Sequence, residues 1–471
     1  MTIVRMKRLL SIVLLLAVLI LPLSACKKDK ESSNTDKTTV STAPIIPKED
    51  PEVDTTDYRA EVTKRFENLS ATDVSAFTFA SGVTGLTVTG YQGNDEHVRV
   101  PDSIDGLLVV GIADGVFQDQ KQLKTLYVPD SVSSLGKDML KGCDALEALR
   151  IPILSQTESG EQFLGCLFGG VRKEDNILVP ASLSYVCVEG CVRAITEAAF
   201  ADCNKIQAVV LGDGVTVIED FAFSFCENLK YVNFEGLTEI GAYAFSNCND
   251  LVSVTFGVNL EQIGLGAFQG CSSISSMTLP FVGGSSAENT YLGYIFGAEH
   301  PDFTAGYIPA YLRDITILDG CDSLGNYAFF ECSVVRTVVV PKSVRSIGVR
   351  AFEGCTVLKT LDLSSVCDIR ENAFFGCTAL ESVTLGESLQ SLGINVFYGC
   401  TALKSIVLPN SLKKLPASAF ADCTSLESID FGGVTNVGRN AVRNCTALDV
   451  VKILDGATLE EGNAIIKELA E

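Results

Sequence analysis

Seventeen cysteines are the residues of this 471-residue chain with the most capacity for chemistry. As thiolates they attack carbonyls or ligate soft metals, and as pairs they form disulfides. Nucleophilic catalysis also needs a base, and the chain has only two histidines, His97 and His300, both in irregular stretches. They complete no Cys/His or Ser/His/Asp set. A zinc site needs paired spacings with histidine nearby, and Cys187/Cys191 is a lone C-x3-C. A phosphate-binding loop, a dinucleotide fingerprint and an HExxH helix are all missing from the text. Glu460 and Glu461 read as solvated charges of a terminal segment. The residues therefore predict no enzyme, no cofactor and no metal.

The cysteines carry order instead. Cys332, Cys355, Cys377, Cys400, Cys423 and Cys445 lie 23, 22, 23, 23 and 22 residues apart. Around them "RAFEGCTVLKTLDL", "NAFFGCTALESVTL", "NVFYGCTALKSIVLP" and "SAFADCTSLESIDF" repeat one pattern, followed by a turn and a second apolar group such as "SIG". A fixed period in the twenties predicts a solenoid in which each coil stacks on the last. Cys143, Cys203, Cys226, Cys248 and Cys271 occupy the same slot upstream, with Gln120 in that slot one coil earlier. Two intervals, 143 to 203 and 271 to 332, are 60 and 61 residues long and each hides one longer coil. "FLGCLFGG" through "ILVPASLSYVCVEGC" in the first matches "YLGYIFGA" through "GYIPAYLRDITILDGC" in the second. Equivalent side chains of stacked coils point in parallel, which opposes the disulfide dihedral. The slot is predicted to hold buried free thiols, with Cys187 set apart because its register faces outward.

A strand alternates its faces. In the coil at Leu403, Leu403, Ile406 and Leu408 should point inward, and Lys404, Ser405 and Val407 outward, with Phe420 beside Leu426 in the core. The outward positions down the stack are mostly Ser and Thr, which are good strand residues and hydrogen-bond across neighbours. Tyr127, Arg150, Tyr185, Tyr231 and Asn233 depart from that background in the N-terminal half, and they are the candidate ligand-binding residues. Tyr and Arg dominate protein-contact hot spots. Asp362 and Asp430 lie on the same face three coils apart, roughly 14 Å by strand spacing, too far for a two-carboxylate site.

The ends differ from the middle. Arg5, Lys7 and Arg8 precede an apolar run from Leu9, which closes on Leu23-Ser24-Ala25-Cys26. This is a secretory signal rather than a spanning helix. Residues 26–57 are polar and Pro-punctuated, a flexible tether. Residues 58–122 predict an N-terminal cap, with a short helix near 58–71 over the first coil and hairpin-like strands after Ala76. Residues 123–454 form the solenoid, with longer coils near 153–191 and 281–321, and 455–471 a C-terminal capping helix. The text of the long coils, 163–180 and 291–309, predicts a lip beside the sheet. The class is thus an α/β repeat solenoid of about 14 coils of 22–23 residues with a parallel sheet on one face and capped ends. Net charge is −22, and −22 − 3 = −25 once the leader's three cations are removed. That surface repels nucleic acid.

"SVRSIGVRAFEGCTVLKTL", "VPASLSYVCV" and "GYQG" with "VRVPDSIDGLLV" resemble the BspA-type (treponemal-type) leucine-rich repeat over roughly residues 75–455. The chain departs from the commonest leucine-rich repeat. Ser131, Ser343, Ser388 and Ser411 stand where an Asn or Cys follows the strand, and the cysteine precedes the strand. The resemblance implies a curved solenoid used outside the cell for adhesion or for binding proteins or glycans. Leu-Ser-Ala-Cys also resembles the bacterial lipobox, which implies a diacylglycerol on Cys26 and a membrane anchor, with the rest of the chain exposed at the cell surface. The alternatives are an envelope scaffold with no soluble ligand and, more remotely, a hydrolase with an unrecognised carboxylate site.

Overall fold

The computed structural model describes residues 56–157, 160–190, 192–288, 290–448, 450–452 and 458–459. The signal segment, Cys26, most of 26–57, Cys191 and most of 455–471 lie outside the described residues.

One coil shows how the sequence builds the rest. Thr360–Leu363 is a strand whose Leu361 and Leu363 point inward, and the two-residue strand Asp368–Ile369 follows with Ile369 buried. The chain then turns through Phe374 and Cys377, both fully buried, and reaches the next strand at Ser382. Each turn uses two left-handed residues, here Asn372 (φ 55°) and Gly376 (φ 69°). Asn and Gly adopt that region at low cost. A coil thus has three sides: a long-strand side, a short-strand side and a turn side. The long strands pair in parallel with residues 22 or 23 apart, as Thr360 with Ser382 and Ser405 with Ser428. The short strands form a second parallel row, as Ser346 with Asp368 and Asp368 with Ser391.

Two ladders run through the interior. Phe200, Phe223, Phe245 and Phe268 stack at centroid separations of 4.9, 5.1 and 5.4 Å. Phe329, Phe352, Phe374, Phe397 and Phe420 stack at 5.0, 5.1, 5.2 and 5.4 Å. Beside them, Cys377 donates its thiol proton to the Phe352 carbonyl of the preceding coil at 3.0 Å. Cys143, Cys226, Cys248, Cys271, Cys355, Cys400, Cys423 and Cys445 do the same to the equivalent Phe carbonyl. The slot therefore asks for a small apolar residue with one donor, and cysteine meets both demands. The cysteines are free thiols in the described residues. Burial pushes the Cys143 thiol up to about 11 and Cys377 up to about 12.

Several expectations change. Among the described residues the helix content is small: one α-helix, α1 (Tyr58–Glu67), and short 3-10 turns accompany the strands. The strand His97–Arg99 pairs in parallel with Thr125–Tyr127, so the solenoid begins one coil earlier, with fifteen long strands among the described residues in place of the fourteen expected. A small hairpin, Ser103–Ile104 with Leu107–Leu108, interrupts this first coil and hides its spacing. The antiparallel pair Phe77–Ser81 and Leu86–Tyr91 closes the stack, with Tyr91 against Phe117 at 5.3 Å. Within 455–471, where a helix was predicted, Thr458–Leu459 is a strand in register with Asn436–Val437.

Candidate ligand-binding face

The outward register of the long strands is as the alternation predicts, and it places the candidate residues in two rows. Ala148, Tyr185, Ala208 and Tyr231 are consecutive partners in one row. Arg99, Tyr127, Arg150, Cys187 and Val210 are consecutive partners in the other. The structure brings four of the five candidates together, but beneath the chain's own helix. Tyr58, Val62 and Phe66 of α1 pack on Ala148, Cys187, Ala208 and Val210, with Tyr127, Tyr185 and Tyr231 partly buried around them. Asp57 caps the helix by accepting from the Ala60 amide at 2.9 Å. The helix predicted over the first coil instead lies across the strand face, from Tyr231, against Tyr58, to Tyr127, against Phe66.

Each candidate has an internal partner. Tyr185 donates its hydroxyl proton to Glu61 at 3.0 Å, and Arg65 lies 3.9 Å over the Tyr185 ring. Burial first, and then the Glu61 hydrogen bond, raise the Tyr185 pKa. Tyr127 has Arg99 at 4.2 Å and Arg150 at 4.3 Å from its ring centre, from the strands on either side. Arg150 is 6% exposed and donates to Asp130 (2.7 Å), Val128 O (2.9 Å) and Glu189 (3.1 Å). Burial opposes its charged form, and Tyr127, Asp130 and Glu189 more than offset that. Asn233 accepts from the Leu211 amide at 2.7 Å and donates to the Leu211 carbonyl at 2.8 Å, so its side chain completes the strand ladder. Cys187, predicted to stand out on this face, is covered by α1, and burial raises its pKa.

Beyond Tyr231 the same face is open. Ser253 and Thr255, Thr337 and Val339, Thr360 and Asp362, Ser382 and Thr384, Ser405 and Val407, and Ser428 and Asp430 are exposed pairs on successive strands, interrupted only by the half-buried Ser276 and Thr278 and by half-buried Thr316 beside exposed Asp314. Val339 is 49% and Val407 64% exposed amid hydroxyls and carboxylates. Asp362 and Asp430 are engaged locally, accepting from the amides of Ser364 (2.9 Å) and Gly432 (3.0 Å) at the strand ends. Hydrogen bonding from Ser364 holds Asp362 below the usual carboxylate range. The signal for this division was present in the sequence. Ala148, Cys187, Ala208 and Val210 are small or apolar where the open half carries Ser, Thr and Asp.

The long coils form no lip on this face. Leu164–Phe168 and Leu292–Phe296 are 3-10 turns that enter the ladder on the turn side, with Leu140 N bonded to Leu167 O and Phe268 N to Ile295 O. Behind the first of them Asn176 is buried, accepting from Gly165 N at 2.7 Å and donating to Ala198 O and Ala199 O at 3.2 and 3.3 Å. Replacing Asn176 by Ala strands the Gly165 amide, at about 1–3 kcal/mol, and takes one of two donors from each of the Ala198 and Ala199 carbonyls. We expect a loss of about 2–4 kcal/mol, read as faster hydrogen exchange across 164–178 with the strand rows little changed. His300 caps the second long coil's 3-10 turn by accepting from Asp302 N at 3.3 Å, while His97 stands on the first long strand. Among the described residues no group of three or more His, Cys, Asp or Glu is placed to hold a metal ion.

The sequence matches the family described as BspA type leucine rich repeat region (6 copies) over residues 96–168, 174–290, 307–368 and 363–464. A leucine-rich repeat protein from Bacteroides ovatus shares 20% identity over 83% of this chain and 99% of its own, with a TM-score of 0.34. A leucine rich cell surface protein from Faecalibacterium prausnitzii shares 21% over 84% and 97%, with a TM-score of 0.27. The T. pallidum leucine rich repeat protein shares 22% over 61% and 91%, with a TM-score of 0.22. A comparison with curated protein sequences returns no match. Family match, coil grammar and parallel strand rows agree, and the chain belongs to the BspA-type leucine-rich repeat proteins, a family of bacterial surface proteins.

Proposed function

We propose that the protein is a non-enzymatic binding protein of the bacterial surface, anchored through a lipid on Cys26, that engages an extracellular protein or glycan. The open half of the strand face is its contact surface. The observation that carries this is the contrast along one face of the solenoid. The N-terminal half is filled by α1, whereas from Ser253 to Asp430 most outward side chains remain exposed, with Val339 and Val407 standing bare among hydroxyls. Exposed apolar side chains rimmed by polar ones mark contact surfaces. The acidic balance of the chain favours neutral or basic ligands over nucleic acid.

The test is a binding screen of residues 27–471 against extracellular-matrix proteins, mucins and cell-wall glycans. The double variant Val339→Arg/Val407→Arg serves as the probe of the face. A saturable ligand whose affinity falls at least tenfold in the variant supports the reading. A ligand bound equally by both proteins overturns the placement on this face. An empty screen, with whole-cell cross-links to envelope proteins only, favours the scaffold reading.

A further inference from the structure

The covered half of the face is a groove filled by α1, whose side chains describe its chemistry. α1 presents Tyr58, Val62 and Phe66, four residues apart, to a floor of Ala148, Cys187, Ala208 and Val210. A helix laid along the ladder advances about 5.4 Å per turn, and the strands about 4.8 Å each. From Tyr58, against Tyr231, to Phe66, against Tyr127, α1 passes over five strands, so each of its three apolar side chains serves about two of them. Tyr185 supplies the polar reading of the groove, because its hydroxyl donates to Glu61, three residues after Tyr58. Arg65 pairs with Glu61 at 3.3 Å and with Glu147 at 3.9 Å.

α1 is ten residues long, too short to hold its helix without the packing it finds on this face. Arg65 Nε is buried with no hydrogen-bond partner, a cost that a better-matched helix avoids. Nor does the stack need α1 as an end cap, since Phe77–Ser81 and Leu86–Tyr91 already close the first coil. After α1 the chain is tied to the solenoid at Thr72, which bonds to the backbone of Arg99 in both directions (3.1 and 3.0 Å).

We infer that the strand face between Tyr127 and Tyr231 is a helix-binding groove that α1 occupies in cis and yields to an amphipathic helix of a partner protein. The partner helix carries aromatic or aliphatic side chains at i, i+4 and i+8 and an acidic residue at i+3 facing the Tyr185 hydroxyl. This site is separate from the open half of the face and stands or falls independently of it.

The experiment uses a labelled synthetic peptide of residues 56–69 as probe, the parent chain, and the variant Val62→Asp/Phe66→Asp, which removes α1 from the groove. The peptide is expected to bind the variant at least tenfold more tightly than the parent, and to lose binding when it carries Val62→Asp itself. Hydrogen exchange on the parent should show residues 61–67 exchanging at least tenfold faster than 149–151 and 209–211. Should the double variant fail to fold, cleavage at a protease site placed between Leu69 and Asp73 of the folded parent supplies the opened groove. A folded, opened chain that does not bind the peptide overturns the proposal, as does exchange of α1 as slow as that of the strands beneath it. Peptide binding unchanged by Val339→Arg/Val407→Arg separates this site from the open half.

Discussion

Raising the pH from 8 to above 10 under reducing conditions should unfold the protein. The cause is the thiol ladder. Burial raises the pKa of Cys143 to about 11 and of Cys377 to about 12, and raises those of Cys203, Cys226, Cys248, Cys332, Cys355, Cys400, Cys423 and Cys445 as well. In the unfolded chain a thiol titrates near about 8.5. A folded pKa above the unfolded one means that the native state holds the proton more tightly. The stability is therefore fully present below about pH 8.5 and is lost as pH climbs from there toward the folded values. Each pH unit in that window costs about 1.4 kcal/mol per buried thiol. With ten such groups in one stack, about one pH unit matches the roughly 5–15 kcal/mol that holds a typical domain. Far-UV circular dichroism and thiolate absorbance should change together between about pH 9 and 10.5. A native spectrum retained at pH 11 would show that the thiols are not as sequestered as the ladder implies.

The second large effect is expected from the aromatic ladder. Phe374 is fully buried, with Phe352 and Phe397 stacked on its two sides at 5.1 and 5.2 Å. Phe374→Ala removes both stacking partners' contacts and leaves a cavity that the neighbouring coils cannot fill, because their backbones are fixed by Phe352 N to Ala373 O and Phe374 N to Val396 O bonds. Such truncations cost about 3–5 kcal/mol. A solenoid is held by nearest-neighbour interfaces, so the loss should appear as a separate early transition in urea or heat, confined to the coils around 352–397. A single transition shifted as a whole would mean that the coils melt as one unit.

Much of this architecture was legible in the sequence because the signal repeats. The cysteine slot, the buried Phe and the inward residues such as Leu403, Ile406 and Leu408 each recur at a fixed offset, and each recurrence confirms the others. What was not legible is non-periodic. The hairpin at 103–108 broke the spacing and hid the strand His97–Arg99. The 3-10 turns of the long coils were readable as text, but not which of the three sides they join. The candidate residues were read in the right register and with the wrong surroundings. Tyr127, Tyr185 and Tyr231 do face outward, yet a helix 60 or more residues away covers them, and no local pattern in 58–71 states where its apolar stripe lands. The alternation Ala148, Tyr185, Ala208, Tyr231 was the available clue. It alternates small and large side chains, and reads as a packing surface only once a helix is proposed for it.

The placement of α1 also decides where tension enters the molecule. Among the described residues the chain first meets the solenoid not at an end of the stack but at Tyr58, against the strand of Tyr231, and then runs back to Thr72 beside Arg99. A pull delivered from upstream of residue 56 meets α1 first, and at its leading end. It lifts Tyr58 away before it loads Val62, and Val62 before Phe66, one side chain at a time, as a zip opens rather than as a bolt shears. The long strands beneath it, paired in parallel from His97–Arg99 to Tyr231–Val232, are loaded directly only after that. Were the chain held from upstream of residue 56, drag would act on α1 before it acts on the strand rows, and the groove proposed above would be the first surface that such a load uncovers.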